Sequence, residues 1–192
     1  MKNILNYSWK FITKITDGFK TILFIFFFIA HASTASAGPI ETVFADSIFN
    51  VNWLSTVDEV KRKYPKGEQI NEYGIVSYVI TDDRTVLEIK REPSNYIKFV
   101  FNSENQLFGV AIQFPASGTK SFTQLLTKLI THFGSQEDKP KNYDKTIVVQ
   151  WPEDNGYKIV LTSTVKVFGE DDLIFSIGYT EPVKTDKGKM GF

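Results

Sequence analysis

The chain has 192 residues, 22 basic and 22 acidic side chains, and no cysteine. The lack of cysteine excludes thiol catalysis, iron–sulfur clusters and zinc sites built from thiolates. A balanced charge without a basic stripe argues against binding to nucleic acid and against adhesion to anionic lipid.

Residues 1–37 predict an export signal. Four lysines lie between positions 2 and 20, and an unbroken apolar run follows from Ile22 to Ala30. This run is too short for a membrane-spanning helix, which needs about 20 apolar residues. Ala35 and Ala37 are the small residues that a signal peptidase requires, so we predict cleavage before Gly38, with cleavage after Ala32 as the second candidate position. The predicted location is the periplasm or the outside of the cell. The alternative is an uncleaved N-terminal anchor, which would then be the only part of the chain in contact with a membrane.

The remaining length suits one domain. We predict an N-terminal extension over residues 38–50, a single α+β domain over 51–182, and a flexible tail over 183–192.

Two capping boxes predict the helices of this domain. The first pairs Thr56 with Glu59, in a segment that Pro65 ends. The second pairs Ser121 with Gln124, and the apolar residues after it recur every three or four positions. Gly134 follows this second helix at the position that a left-handed C-terminal cap occupies.

Alternating apolar and polar residues predict an antiparallel β-meander against which the two helices pack. The predicted strands are 75–80, 85–90, 96–102, 107–114, 146–151, 157–163 and 173–179. Helix starts and strand pairs recur at a spacing of roughly 65 residues, which indicates a tandem α-β-β-β repeat over 51–115 and 116–182. The alternative is that no duplication occurred, because any α+β chain of this size can be divided into two similar halves.

The segments "STVDEVKRKYPKG" and "SFTQLLTKLITHFG" resemble the helix starts of a known group of small exported modules. This group includes the β-lactamase-inhibitory-protein type and the small lipoprotein of the outer-membrane assembly machine. The resemblance implies helices on an antiparallel sheet and a non-catalytic module that binds another protein. It transfers no functional residue to a position of this chain, which also lacks the cysteine that carries the lipid of a lipoprotein.

Few side chains outside the leader indicate catalysis or metal binding. His132 is the single histidine there, and a solvated side chain is the simplest interpretation. Ser117 and Lys120 match the S-x-x-K motif of penicillin-recognising enzymes, but the other motifs of that chemistry are missing. The acidic pair Asp82–Asp83 and the acidic triplet Glu170–Asp171–Asp172 could attract Ca²⁺, although neither has the spacing of a calcium loop. We predict no cofactor and no resident metal.

Aromatic side chains are the most suggestive feature. Trp53 precedes the first predicted helix, and Tyr78, Tyr96 and Tyr157 lie at strand ends or in loops. Tyrosine and tryptophan are common at protein interfaces. These side chains are candidates for an exposed binding face of the sheet; the alternative is that they pack in the core.

The sequence therefore predicts an exported, non-enzymatic module whose partner is another protein of the cell envelope or exterior. One alternative is a domain that binds a small molecule or lipid in a Phe-lined gap between helix and sheet. Another is a hydrolase that uses Ser117 or a pair of carboxylates.

Overall fold

The structure, a computed structural model, describes residues 38–116, 119–137, 139–166 and 171–181. In these ranges it contains three helices, a two-stranded ribbon and an eight-stranded antiparallel sheet. The helices are α1 (Pro39–Phe44), α2 (Val57–Lys63) and α3 (Thr119–Phe133), and the ribbon pairs β1 (Ser47–Ile48) with β2 (Val51–Asn52). The strands of the large sheet are β3 (Glu68–Glu72), β4 (Ile75–Thr81), β5 (Tyr96–Phe101), β6 (Leu107–Phe114), β7 (Lys141–Tyr143), β8 (Thr146–Gln150), β9 (Tyr157–Thr164) and β10 (Asp172–Tyr179).

The large sheet consists of two meanders that join through their last strands. Its strand order is β3-β4-β5-β6-β10-β9-β8-β7, and α2 precedes the first meander as α3 precedes the second. The predicted α+β class with an antiparallel sheet is confirmed. Each half of the domain is a helix followed by four strands, one strand more than the repeat predicted from the sequence.

The core lies between the helices and one face of the sheet. Leu125, Leu129 and Phe133 form the buried stripe of α3, and Phe133 stacks on Phe175 of β10 with ring centres 6.3 Å apart. The predicted end of this helix is confirmed, because Gly134 has a φ of +79° that side chains with a Cβ adopt only with strain.

The two predicted capping boxes have different outcomes. At α2 the Thr56 hydroxyl accepts the Glu59 N–H at 3.4 Å, and the Glu59 carboxylate accepts the Thr56 N–H at 2.7 Å. These bonds stabilise the charged carboxylate and lower the pKa of Glu59. At α3 the prediction is wrong, because the helix begins at Thr119 and Ser121 lies inside its first turn.

Four segments differ from the predicted elements. Residues 85–90 form a tight turn rather than a strand, because Leu87 and Glu88 adopt positive φ values of 51° and 60°. The short strands β3 and β7 occupy the two sheet edges, and the sequence did not predict them. The segment predicted as an extension folds into α1 and the first strand of the ribbon, where Ile40 and Ile48 are buried in the core.

Among the described helices, even the longest, α3 with 15 residues, is not both long and apolar enough to span a bilayer.

Candidate functional site

The pairing register divides the sheet residues between two faces. Phe99, Ile112 and Phe175 share one face and belong to the core cluster that also contains α3. Their sequence neighbours point the other way because side chains alternate along a strand. We call this second side, turned away from α2 and α3, the distal face. It comprises Ser77, Val79, Tyr96, Lys98, Val100, Gly109, Ala111, Gln113, Val148, Gln150, Lys158, Val160, Thr162, Asp172, Ile174, Ser176 and Gly178.

Small residues line the middle of the distal face, where the two meanders meet. Ala111 lies opposite Ser176, and Gly109 lies opposite Gly178, across the β6–β10 pair. The strands on either side carry larger side chains in the same rows. Lys98 and Val100 of β5 flank one side, whereas Lys158 and Val160 of β9 flank the other. These eight residues form what we call the central trough, with a small-residue floor between two taller walls.

The hydroxyl of Ser176 on the trough floor has no hydrogen-bond partner. The residue is 1% exposed, and its Oγ is the one buried side-chain polar atom without a partner among the described residues. Buried hydroxyl groups in native proteins are almost always hydrogen-bonded, because an unpaired one loses its hydration without compensation. A bound partner that offers a polar group to the floor would supply the missing bond.

A polar cluster closes one end of the distal face. The buried Asp172 carboxylate accepts the Gln113 side-chain amide at 3.2 Å and pairs with the Lys166 ammonium at 2.8 Å. Burial raises the pKa of the nearby Tyr96 hydroxyl, and the negative charges of Asp172 and Glu72 add to that shift. The Tyr96 hydroxyl therefore stays protonated to a higher pH than that of an exposed tyrosine.

The charged side chains of the trough walls form ion pairs. Lys98 lies 3.3 Å from the Glu72 carboxylate, and Lys158 lies 3.0 Å from Glu153. Each pair brings together one charge of each sign, so the walls do not present a field of a single sign. The lysine stems still contribute apolar surface to the walls.

Three of the four aromatic candidates lie in the core. Trp53 donates its indole N–H to the Phe44 carbonyl at 2.7 Å. Tyr78 and Tyr157 donate to the carbonyls of Tyr64 and Ala45 at 2.6 and 3.1 Å. The prediction of an exposed face made of these side chains is therefore wrong for Trp53, Tyr78 and Tyr157, because each ring is buried and its polar atom bonds to backbone.

Tyr96 is the remaining aromatic candidate, and it lies on the distal face. It alternates with Ile97 on β5, so it points away from the core, and it is partly buried. Its parity along the strand, which matches that of Lys98, was the sequence signal that separated it from the other three. The same parity places Gly109, Ala111, Ser176 and Gly178 on the distal face, although small residues by themselves do not indicate a binding site in a sequence.

The candidate catalytic residues do not form a site in the described ranges. Ser117 lies outside these ranges, whereas Lys120 and His132 are exposed on α3. Asp82 pairs with Arg84 and Arg91 in a structural cluster, at 2.6 and 2.8 Å.

The other predicted positions are partly outside the described ranges. Ala35, Ala37 and Glu170 lie outside them, as does the predicted tail at 183–192, while Gly38 is described. Asp171 accepts the backbone N–H of Lys166 at 3.1 Å. Within the described ranges, His, Asp and Glu side chains do not gather in a group of three or more that could hold a metal ion.

Core side chains occupy the gap between α3 and the sheet, where the alternative prediction places a ligand pocket. Leu125 and Leu129 of α3 are fully buried there, and Phe133 contacts both Phe175 and Phe44.

Comparison of the chain with protein-family models, with curated proteins and with solved structures found no match.

Proposed function

We propose that the protein is an exported, non-enzymatic binding module that recognises another protein of the cell envelope or exterior through the central trough. The observation that carries this proposal is the unpaired, buried hydroxyl of Ser176 on a floor of small residues. The tandem arrangement of helix and meander is consistent with the protein-binding modules that the sequence resembles.

The shape of the trough favours a narrow occupant. Gly109, Ala111 and Gly178 place no side-chain atom beyond a Cβ on the floor, which is buried, and the two floor strands separate the β5 wall from the β9 wall. Neighbouring strands lie about 4.8 Å apart, so the floor of two strands accommodates one extended segment or the tip of a loop rather than a broad surface. The occupant that fits is therefore a single protruding segment of a partner protein.

The charges favour an uncharged segment with at least one polar group. Lys98 and Lys158 are paired with carboxylates, so a strongly charged partner would have to compete with existing ion pairs. Ser176 can both donate and accept, so a backbone carbonyl or amide of the occupant would satisfy it.

Recognition also suits the trough better than hydrolysis. The register neighbours of Ser176 are Ala111 and Val160, neither of which can accept a proton from its hydroxyl. A serine nucleophile requires an adjacent base that activates it.

Site-specific photo-crosslinking tests the proposal. A crosslinking amino acid replaces Val100 or Lys158, the two partly exposed wall residues, or Thr123 on the exposed side of α3 as a matched control. Irradiation of cells that export the protein should give a discrete adduct from both wall positions and not from the α3 position. Equal adducts from Thr123, or none from either wall, would contradict the assignment of the trough.

Two variants then test the floor against the identified partner. Ala111→Arg should abolish the adducts by filling the trough, and Ser176→Ala should weaken the Kd about tenfold or more, equivalent to about 1.4 kcal/mol. Circular dichroism and thermal unfolding must show that both variants are folded. An unchanged Kd for folded Ser176→Ala would show that the hydroxyl does not contact the partner.

A further inference from the structure

The β8–β9 hairpin holds the first described residues through one carboxylate. Asp154 accepts the N–H of Gly38 at 3.2 Å on Oδ1, and the N–H groups of Ile40 and Glu41 at 2.9 Å each on Oδ2. Gly38, Ile40 and Glu41 each lie more than 110 positions from Asp154 in the sequence. The contacts therefore tie the beginning of α1 to the second meander.

Gly38 fits this position because it has no side chain. A Cβ at Gly38 would lie 2.4 Å from both carboxylate oxygens of Asp154, far inside van der Waals contact. Its φ of −82° is open to any residue, so the requirement for glycine is steric. The Gly38 carbonyl also accepts the Thr42 N–H at 2.9 Å and the Thr42 hydroxyl at 2.8 Å, so the residue is held from both sides.

Gly38 is also the residue that the predicted export cleavage would expose. Hydrolysis by a leader peptidase breaks the bond between the Ala37 carbonyl carbon and the Gly38 nitrogen, with addition of one water. The products are a carboxylate on Ala37 and an α-ammonium on Gly38. The nitrogen that donates one neutral N–H to Asp154 in the uncut chain thereby becomes a cation with three donors.

We propose that Asp154 is the receptor for this new N-terminus, so that removal of the leader converts a backbone hydrogen bond into an ion pair that anchors α1. This inference rests on the proposed export and on cleavage before Gly38. The bond in the uncut chain already has one ionised partner, the carboxylate. Cleavage adds the Coulomb attraction of the α-ammonium, so the processed chain holds its N-terminal segment more firmly than the uncut chain.

Asp154 is the carboxylate that contacts the Gly38 nitrogen, and two other acidic side chains nearby have other partners. Glu41 on α1 contacts the side chain of Asn155, and Glu153 pairs with Lys158 on β9. Tyr157 donates to the Ala45 carbonyl at the other end of α1. An α-amino group ordinarily titrates near pH 7.7–8.0, and a carboxylate partner raises that pKa in the folded state. The stabilisation is therefore complete below about pH 8 and is lost as the pH rises through the raised pKa.

The test begins with the full chain expressed with its own leader and recovered from the exported fraction. Intact mass spectrometry should show a chain that begins at Gly38. Thermal unfolding from pH 6 to pH 10 then compares the wild type with Asp154→Asn, which preserves the size of the side chain but removes its charge. The difference in Tm should be largest below pH 8 and should shrink above it, and acetylation of the α-amine should remove this pH dependence.

Asp171→Asn is the matched control. Asp171 also accepts a backbone N–H, that of Lys166, and lies at the opposite end of β9 from Asp154. Its effect on Tm should not change between pH 7 and pH 10.

The readouts separate the possible failures. A mature chain that begins elsewhere would overturn both the cleavage position and the docking of Gly38, whereas the crosslinking result judges the trough independently. A chain that begins at Gly38 but shows a pH-independent effect of Asp154→Asn would overturn the ion pair and leave export standing. If Asp154→Asn does not fold, the rate of amine acetylation against pH gives the pKa of the wild-type α-amine directly. A value no higher than that of the unfolded chain would overturn the proposal.

Discussion

Arg91 offers the sharpest test of how the long loop between β4 and β5 is held. The residue is 1% exposed, and its guanidinium donates to the Gln113 carbonyl, the Tyr96 carbonyl and the Asp82 carboxylate, each at 2.8 Å. Burial lowers the pKa of Arg91, and the negative charge of Asp82 opposes that shift. One planar side chain therefore joins the loop to β5 through Tyr96 and to β6 through Gln113.

We expect Arg91→Met to lower the free energy of unfolding by about 3–5 kcal/mol. It leaves the Gln113 and Tyr96 carbonyls without this donor, and the partly buried Asp82 carboxylate keeps only Arg84. Asp82→Asn should cost a similar amount, since it leaves a buried cation without its counter-charge. With a urea dependence of about 2 kcal/mol/M, a loss of 3 kcal/mol lowers the unfolding midpoint by about 1.5 M.

The double variant distinguishes a coupled pair from two independent side chains. Arg91→Met with Asp82→Asn should cost at least about 1 kcal/mol less than the two single losses together, because each single variant already removes the pair. Arg91→Lys should remain destabilising, since an ammonium cannot reach three acceptors that a planar fork spans. Strictly additive losses, or a loss below about 1 kcal/mol for Arg91→Met, would refute this account.

Four further outcomes follow from single side chains. Ser176→Ala should raise the free energy of unfolding by about 1 kcal/mol, measured in urea, because it removes a buried unpaired hydroxyl; a loss would show that the hydroxyl is bonded. Tyr78→Phe should lower it by about 1 kcal/mol through loss of the bond to the Tyr64 carbonyl, yet leave the trough adducts unchanged. Gly134→Ala should cost about 1–2 kcal/mol of backbone strain alone, since the space around its Cβ is empty. Burial raises the pKa of Tyr157 to about 12, so spectrophotometric titration should show this tyrosine ionising near pH 12. The free energy of unfolding should be unaffected by this group below pH 10 and should decline from pH 10 towards pH 12.

Periodicity in the sequence was sufficient wherever an element buries one continuous stripe. α3 repeats apolar residues at helical spacing over 15 residues, and Ile97, Phe99 and Phe101 alternate along β5, so both were predictable. The edge strands were not, because β3 contributes hydrogen bonds to β4 but has a single apolar residue, Ile70. An edge strand pairs on one side only and can be polar throughout, so its sequence has no core pattern.

The turn at residues 85–90 shows the opposite error. Val86, Leu87 and Ile89 resemble a strand in composition, and they do pack against the core. The positive φ values at Leu87 and Glu88 reverse the chain instead, and no glycine marks the reversal. Such a turn is held by its surroundings, including the Arg91 cluster that follows it, and tertiary contacts of this kind leave no local signal.

Residue type alone does not indicate the candidate site, because its residues are defined by their position in the sheet. Tyrosine and tryptophan attract attention as interface residues, yet Tyr78 and Tyr157 share the parity of core positions and use their hydroxyls to bond backbone. The decisive residues of the trough are glycine, alanine and serine, whose meaning depends on which strand lies beside them. That pairing, β6 with β10, joins residues 59 to 69 positions apart and cannot be derived from either strand alone.

The position of the trough is a consequence of how the two halves join. β6 ends the first meander and β10 ends the second, and an antiparallel pair of equivalent strands relates the halves by an approximate twofold rotation. Each half thus brings its own two small residues to the same seam, Gly109 with Ala111 and Ser176 with Gly178. A shift of the β6–β10 register by one residue would turn these side chains into the core and bring Val110 and Ile177 to the surface. The buried contacts of Val110, Ile112, Phe175 and Ile177 on the other face therefore fix the register, and the core that stabilises the fold also determines where the trough lies.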